Sequence, residues 1–253
     1  MTRKTLSLAA TLCLAAGVVF AAPAGKMVSY PAGSETVSGY LSLPGTDGKK
    51  PAIVVIQEWW GLNDFVKQKA DHFAAAGYVA LAPDLYGGKA TSDPMKAHEL
   101  SRIPPEHVMR QLKAAVEYLK GRSDVDSGRL ASIGWCFGGG YSLELAFEQS
   151  PPLSGAVIYY GRLVADRGVI ANLRVPLLGN FGGQDQGIPA ESVREFEARA
   201  KQEGKSVDFK IYPDGGHAFA SSSDPKVYRP ADAKDADART DAFLARVLKG
   251  KSS

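Results

Sequence analysis

The sequence predicts an α/β fold, with a mostly parallel central sheet and helices on both faces. Three observations predict it. Strand-like apolar runs alternate with helical patterns, the connections between them are short, and several runs are apolar without interruption, as strands covered on both faces are. With 253 residues, 45% hydrophobic and 23% charged, the composition is that of one large globular domain with a substantial core. A disordered or fibrous chain is excluded on the same grounds.

The first segment belongs to targeting. Arg3 and Lys4 precede an apolar stretch from Leu6 to Phe20, and small residues Ala21, Ala22 and Ala24 surround Pro23. This is the pattern of a cleaved signal peptide, expected over residues 1–22, and the apolar run is short of the ~20 residues a membrane-spanning helix needs. The remainder, 23–253, reads as a single domain, exported to the periplasm or secreted, with no stable membrane insertion after cleavage. Cys13 follows the bulky Leu12, which disfavours a lipoprotein. Loss of the leader removes two cations and no acids, so the formal charge falls from +3 to +1. No basic run calls for nucleic acid. Cys136 is then the sole cysteine, without an intramolecular partner, and a monomer is expected.

The domain opens with β-type runs at 26–30 and 36–43, separated by Gly33 and Ser34 as in a hairpin. Residues 52–57 form a continuous apolar, β-branched run. A helical pattern over 64–76, with Phe65, Ala70 and Phe73 inward, stops at Gly77, and 78–82 is the next buried strand. Pro104 and Pro105 open a helix whose Val108, Leu112, Ala115 and Leu119 recur at helical spacing until Gly121. A strand at 129–134 runs into Gly138, Gly139 and Gly140 and an apolar helix to Phe147. Strands at 155–160 and 176–180, a helix at 189–203, a strand at 208–212 and a helix over 230–248 complete the chain. In such sheets the ligand site lies beyond the carboxyl ends of the strands, so functional residues are expected there.

Gly134-Trp135-Cys136-Phe137-Gly138 lies between a predicted strand and a predicted helix. It is a nucleophile elbow, the signature of the α/β-hydrolase fold, with cysteine in place of serine, and its glycines fit a turn too tight for side chains. A thiol at a helix N-terminus suits a thiolate nucleophile. The fold demands the order nucleophile, acid, histidine. His217, in Gly216-His217-Ala218-Phe219 after the last strand, meets it, whereas His72, His98 and His107 precede the elbow. Asp185, in Gly182-Gly183-Gln184-Asp185, is preferred as the acid over Asp214, which is explained by turn chemistry and stands only three residues from the histidine. Glu58 ends a buried strand beside Trp59, Trp60 and Gly61. Its carboxylate either shares the pocket with the thiol or is a solvated loop residue, and the residues alone leave both open. Acyl-transfer logic gives a Cys136 thioester, with the oxyanion held by backbone N–H groups of Phe137 and Trp59 and hydrolysis assisted by His217. The expected substrate is a small carboxylic ester or lactone. Trp60, Tyr86, Lys89, Trp135 and Phe219, which flank these motifs, are the candidate substrate contacts.

These residues resemble the dienelactone hydrolases, or carboxymethylenebutenolidases. The matching segments are Val55-Ile56-Gln57-Glu58 with the following Trp-Trp-Gly-Leu-Asn, Ala82-Pro83-Asp84-Leu85-Tyr86, the Gly-Trp-Cys-Phe-Gly-Gly-Gly elbow, Asp185, and Gly-His-Ala-Phe. The resemblance implies a triad of Cys136, His217 and Asp185. It also implies that Glu58 takes the thiol proton when substrate binds, and that neither a metal nor an organic cofactor is needed. The best-known members of this type bind a substrate carboxylate with one arginine soon after Asp-Leu-Tyr and another shortly after the histidine. Here Gly87, Gly88 and Lys89 follow Tyr86, and Ala218, Phe219, Ala220 and Ser221 follow His217. Lysine lacks the bidentate fork of arginine, so the choice between dienelactone and a neutral ester or thioester stays open. A non-catalytic binding member of the fold and a thiol redox protein are the readings from other classes. The complete nucleophile, acid and base argue against the first, and the absence of a resolving cysteine against the second.

Overall fold

The computed structural model describes residues 24–148, 153–164 and 166–250. The leader expected at 1–22 lies outside them. The element order is β1 (Lys26–Ala32), β2 (Glu35–Ser42), β3 (Lys50–Ile56), α1 (Asp64–Ala75), β4 (Val79–Pro83), α2 (Pro94–Leu100), α3 (Pro105–Lys120), β5 (Val125–Trp135), α4 (Phe137–Phe147), β6 (Gly155–Tyr159), α5 (Arg167–Ala171), β7 (Leu177–Gly182), α6 (Ala190–Gln202), β8 (Val207–Tyr212) and α7 (Pro230–Lys249). The eight strands form one sheet in the order β1-β2-β4-β3-β5-β6-β7-β8. β1 and β2, and β2 and β4, pair antiparallel, and every other pair is parallel. This is the expected α/β-hydrolase architecture.

The unbroken apolar runs follow from burial on both faces. Ile53 and Val55 of β3 join Phe65 and Phe73 of α1 and Phe243 and Leu244 of α7 on one side of the sheet. Ala52, Val54 and Ile56 pack on the other side with Leu112 and Leu119 of α3. The same alternation sends Val157 and Tyr159 of β6 to the first face. Ala156 and Ile158 go to the second, against Val193 and Phe196 of α6. Since side chains alternate along a strand, both sets of alternate positions from Ala52 to Ile56 of β3 are apolar.

Two helices were not anticipated. α2 begins at Asp93, whose side chain accepts from the Met95 amide, with Pro94 in the first turn. α5 begins at Asp166, which caps Val169. At seven and five residues, both are too short to show apolar periodicity. β5 starts four residues before the expected strand because Lys50 and Val125 pair across an irregularity in the ladder, ahead of the polar 126–129 stretch. Among the described residues, no helix is long and apolar enough to cross a membrane.

Candidate active site

Cys136 sits at the junction of β5 and α4 with φ 53° and ψ −114°. That left-handed strain is sustained by its surroundings. Its amide donates to the Tyr159 carbonyl at 3.0 Å, tying the elbow to the end of β6. A Cβ on Gly134 would lie 2.1 Å from the Gly138 carbonyl oxygen, and one on Gly138 would lie 2.4 Å from that of Ile56. Glycine at both positions lets the elbow close on itself and pack against the end of β3. The same contact brings the Glu58–Trp59 segment beside Cys136. The other non-glycine residues of positive φ among those described are Tyr160 (36°) and Ala218 (62°), next to the site in space and in sequence respectively. Strain of this kind concentrates where geometry serves function.

His217 follows β8 and Asp185 follows β7, and their loops interlock. A Cβ on Gly182 would lie 2.5 Å from the carbonyl oxygens of Gly215 and Gly216, so the two loops touch backbone to backbone. Across this contact His217 Nδ1 lies 2.7 Å from Asp185 Oδ2, and His217 Nε2 lies 3.1 Å from Cys136 Sγ. The other oxygen of Asp185 accepts from the amides of Gly187 at 2.8 Å and Ile188 at 3.0 Å. Burial by itself would raise the Asp185 carboxyl, but the His217 hydrogen bond and the two amides outweigh it and hold it below the ordinary aspartate range. Burial opposes charge on His217 too. Its bonds to Asp185 and Cys136 prevail and raise it to about 10. The competitor Asp214 is exposed on the loop. His72 pairs with Asp241 on the surface, and His107 lies by Glu35.

Glu58 is 1% exposed. Burial drives its carboxyl up to about 7, only partly offset by a hydrogen bond from Ser221 Oγ at 2.9 Å and by the charges of His217 and Lys69. Two cavities flank the Cys136–His217 pair. One, of about 420 Å³, is lined by Glu58, Trp59, Trp60, Ser221, Asp224 and Val227 among others. The second, of about 320 Å³, lies over α4 and is lined by Phe137, Tyr141, Glu144, Tyr160, Arg162 and Ile188 among others. The thiol, the imidazole and a buried carboxyl therefore converge on space for a small molecule. The set suits nucleophilic acyl transfer. Among the described residues, no group of three or more His, Cys, Asp or Glu side chains could hold a metal.

The candidate substrate contacts divide. Trp60, with Trp59, lines the larger cavity. Trp135 does not contact either space: it shares a face of β5 with Ala131 and Ile133 and is wholly buried against Phe65 and Tyr159. Standing next to Cys136 in sequence turns its side chain to the opposite side of the strand. Phe219 is also fully buried, packed on Tyr160 and Tyr212. Tyr86 is buried beneath the Phe137 ring. Lys89 is exposed and lines neither cavity; its carbonyl instead packs on Gly61, whose added Cβ would meet it at 2.4 Å. Four of the five candidates thus lie outside the cavities at the thiol. The residues that sequence reasoning missed are Tyr160, whose ring stands 5.3 Å from that of His217, Ser221 under Glu58, and Tyr141, Glu144 and Arg162. Tyr160 and Arg162 carried a signal, since Tyr160 ends the strand predicted at 155–160 and Arg162 stands two residues beyond it.

The sequence model of a family described as "Dienelactone hydrolase family" matches residues 37–248. A protein of Methylorubrum extorquens named "Putative carboxymethylenebutenolidase" is 34% identical over 223 residues, covering 82% of this chain and 76% of that protein. A Bradyrhizobium protein named "Probable 2-oxo-3-(5-oxofuran-2-ylidene)propanoate lactonase" is 31% identical, covering 86% of this chain and 92% of that one. A crystal structure from Klebsiella pneumoniae, described as a "Putative Dienelactone Hydrolase", aligns with a TM-score of 0.80 at 26% identity, over 88% of this chain and 98% of that one.

Proposed function

The chain belongs to the dienelactone hydrolase family of ester and lactone hydrolases, and we propose that it cleaves a small carboxylic ester or lactone with Cys136 as nucleophile. The observation that carries this reading is the continuous relay from Cys136 Sγ through His217 to Asp185, at 3.1 and 2.7 Å. Asp185 fixes the ring so that Nε2 faces the sulfur, and stabilises the imidazolium. Glu58, whose carboxyl burial raises to about 7, lines the same cavity as Cys136 and accepts the thiol proton once it has ionised.

Cys136 thiolate attacks the carbonyl carbon, forming a C–S bond and moving the carbonyl electron pair onto oxygen. Backbone N–H groups of Phe137 and Trp59 hold that oxyanion. As the intermediate collapses, the C–O bond to the leaving alcohol breaks and the His217 imidazolium supplies the alcohol's proton. In a lactone the alcohol stays on the acyl chain. Neutral His217 then takes a proton from water, the hydroxide attacks the thioester, and the carboxylic acid departs as the sulfur recovers its proton. The Arg3-Lys4 and Leu6–Phe20 pattern supports export, with the reaction in the periplasm or outside the cell.

The test is hydrolysis of 4-nitrophenyl acetate and of cis-dienelactone by protein lacking residues 1–22, beside the Cys136→Ala variant. Turnover of either ester that vanishes in the variant is expected. Equal turnover by the variant would remove Cys136 from the mechanism.

A further inference from the structure

Gly25 is held by an acid that lies outside the active site. It precedes β1, and the pairing of Lys26 with Leu41 sets it beside the end of β2. There the Gly25 nitrogen lies 2.7 Å from Tyr40 Oη and 3.2 Å from Asp71 Oδ1. Tyr40 and Ser42 project from the same face of β2 toward α1, where Ser42 Oγ donates to Asp71 Oδ1 at 2.6 Å and Tyr40 Oη donates to Asp71 Oδ2 at 3.0 Å. Ser42 is fully buried and Asp71 half-buried. A Cβ on Gly25 would lie 2.5 Å from Tyr40 Cε1 and 2.8 Å from the Leu41 carbonyl oxygen, so the approach of this nitrogen to Asp71 needs glycine.

The donors around Asp71 do not balance its charge. Gly25, Tyr40 and Ser42 are neutral donors, and among the described residues no lysine, arginine or histidine pairs with this carboxylate. The Gly25 amide, for its part, has one hydrogen for two acceptors. An ammonium at the same place has three hydrogens and a full positive charge. Hydrolysis of the Ala24–Gly25 bond makes one: a water is consumed, Ala24 keeps a carboxylate, and the freed Gly25 amine, with an ordinary pKa of about 8, takes up a proton at neutral pH. The sequence marks that bond. Ala22-Pro23-Ala24 follows the apolar Leu6–Phe20 run and matches the small-x-small pattern of a signal-peptide cleavage site, whereas a cut after Ala22 would put the bulky Phe20 at the place that Ala22 fills here.

We propose that a signal peptidase cuts between Ala24 and Gly25 and that the new ammonium docks on Asp71, tying the start of β1 to β2 and α1 through an ion pair that only the processed chain can form. The inference rests on the export reading and adds the processing bond and the site that receives its product. It moves the expected end of the leader from Ala22 to Ala24.

Two measurements test it. In the first, the full chain is expressed in a Gram-negative host and the periplasmic product is weighed by intact mass spectrometry. A chain starting at Gly25 is expected, and any other start would overturn the assigned bond. A chain that keeps its leader and stays in the cytoplasm would overturn the export reading, and the processing with it. The docking is read separately, on protein made without a leader and starting either at Gly25 or at Pro23. The Gly25 form is expected to melt about 2–4 °C higher, and that gap is expected to close in Asp71→Asn. Carbamoylation of the Gly25 α-amine removes its charge and keeps an N–H. It is expected to lower Tm to that of the Pro23 form, a check that does not depend on how the Asp71 variant folds. Equal Tm for the two forms, a gap that persists in Asp71→Asn, or a carbamoylated protein that keeps its full Tm would overturn the ion pair.

Discussion

Ser221 Oγ donates to Glu58 Oε2 at 2.9 Å, and this uncharged donor, itself 2.7 Å from Ser223 Oγ, is the hydrogen-bond partner of a carboxyl that is 1% exposed. A carboxyl buried against a serine keeps its proton longer than one in water. Its ordinary value is 4.5, and burial here raises it to about 7. Between those values the folded protein retains a proton that the unfolded chain loses, so stability falls as pH rises through that window. The cost is on the order of 3 kcal/mol above pH 7. Glu58→Gln keeps an acceptor for Ser221 and does not titrate. The variant is expected to gain several degrees in Tm over the unaltered protein at pH 8, with that gain shrinking at pH 4.5. A Tm difference equal at both pH values would show that Glu58 is not neutralised by burial.

Glu58 and His217 together shape the rate. Protonated Glu58 cannot accept the thiol proton, so kcat/KM is expected to rise with an apparent pKa near its value of about 7. Loss of the His217 proton removes the acid that serves the leaving alcohol, so activity should decline near about 10. These are properties of a coupled set, since His217 touches both Asp185 and Cys136. Glu58→Gln should lower kcat/KM and flatten the acid limb. A limb that persists unshifted in that variant would assign it to another group.

How much of this was legible in the sequence depends on whether a local pattern or a distant contact does the work. The alternation of β3 between two helix layers forces the apolar run at 52–57, and so announces itself. The convergence of Cys136, Asp185 and His217 was legible because each follows a parallel strand, in a fixed order. Trp135 shows where adjacency misleads: one residue along a strand means the opposite face. Phe219 and Tyr86 were apolar bodies next to motifs, and burial claimed them. Arg162 reaches the site only because Gly161 and Gly139 let two backbones touch, a contact between segments 22 residues apart in number that no periodicity encodes.

Gly138 tests the packing that brings Glu58 to the thiol. Its added Cβ would lie 2.4 Å from the Ile56 oxygen and 2.5 Å from that of Gln57, both backbone atoms of a buried strand end that cannot swing aside. Gly138→Ala must therefore separate the elbow from β3. The expected cost is about 1–3 kcal/mol, seen as a Tm lower by several degrees, with a fall in kcat larger than thermal unfolding at the assay temperature accounts for. An alanine variant with unchanged Tm and kcat would show that the two segments are not held in this contact.

The last prediction separates the two aspartates near His217. Asp185 uses one oxygen for the Gly187 and Ile188 amides and the other for His217 Nδ1. In Asp185→Asn the side-chain oxygen can still accept from the two amides, so its amide group turns toward Nδ1. An amide N–H donates, and Nδ1 must then become the acceptor, which leaves Nε2 protonated and unable to take a proton from water. The fold survives while the ring holds the wrong tautomer. A drop in kcat of about 10³–10⁴ with little change in Tm is expected. Asp214→Asn, on the exposed turn, should change kcat less than twofold. If the Asp214 variant proved the more damaging, the acid would be reassigned to the turn, and the 2.7 Å contact from Asp185 to His217 would be structural.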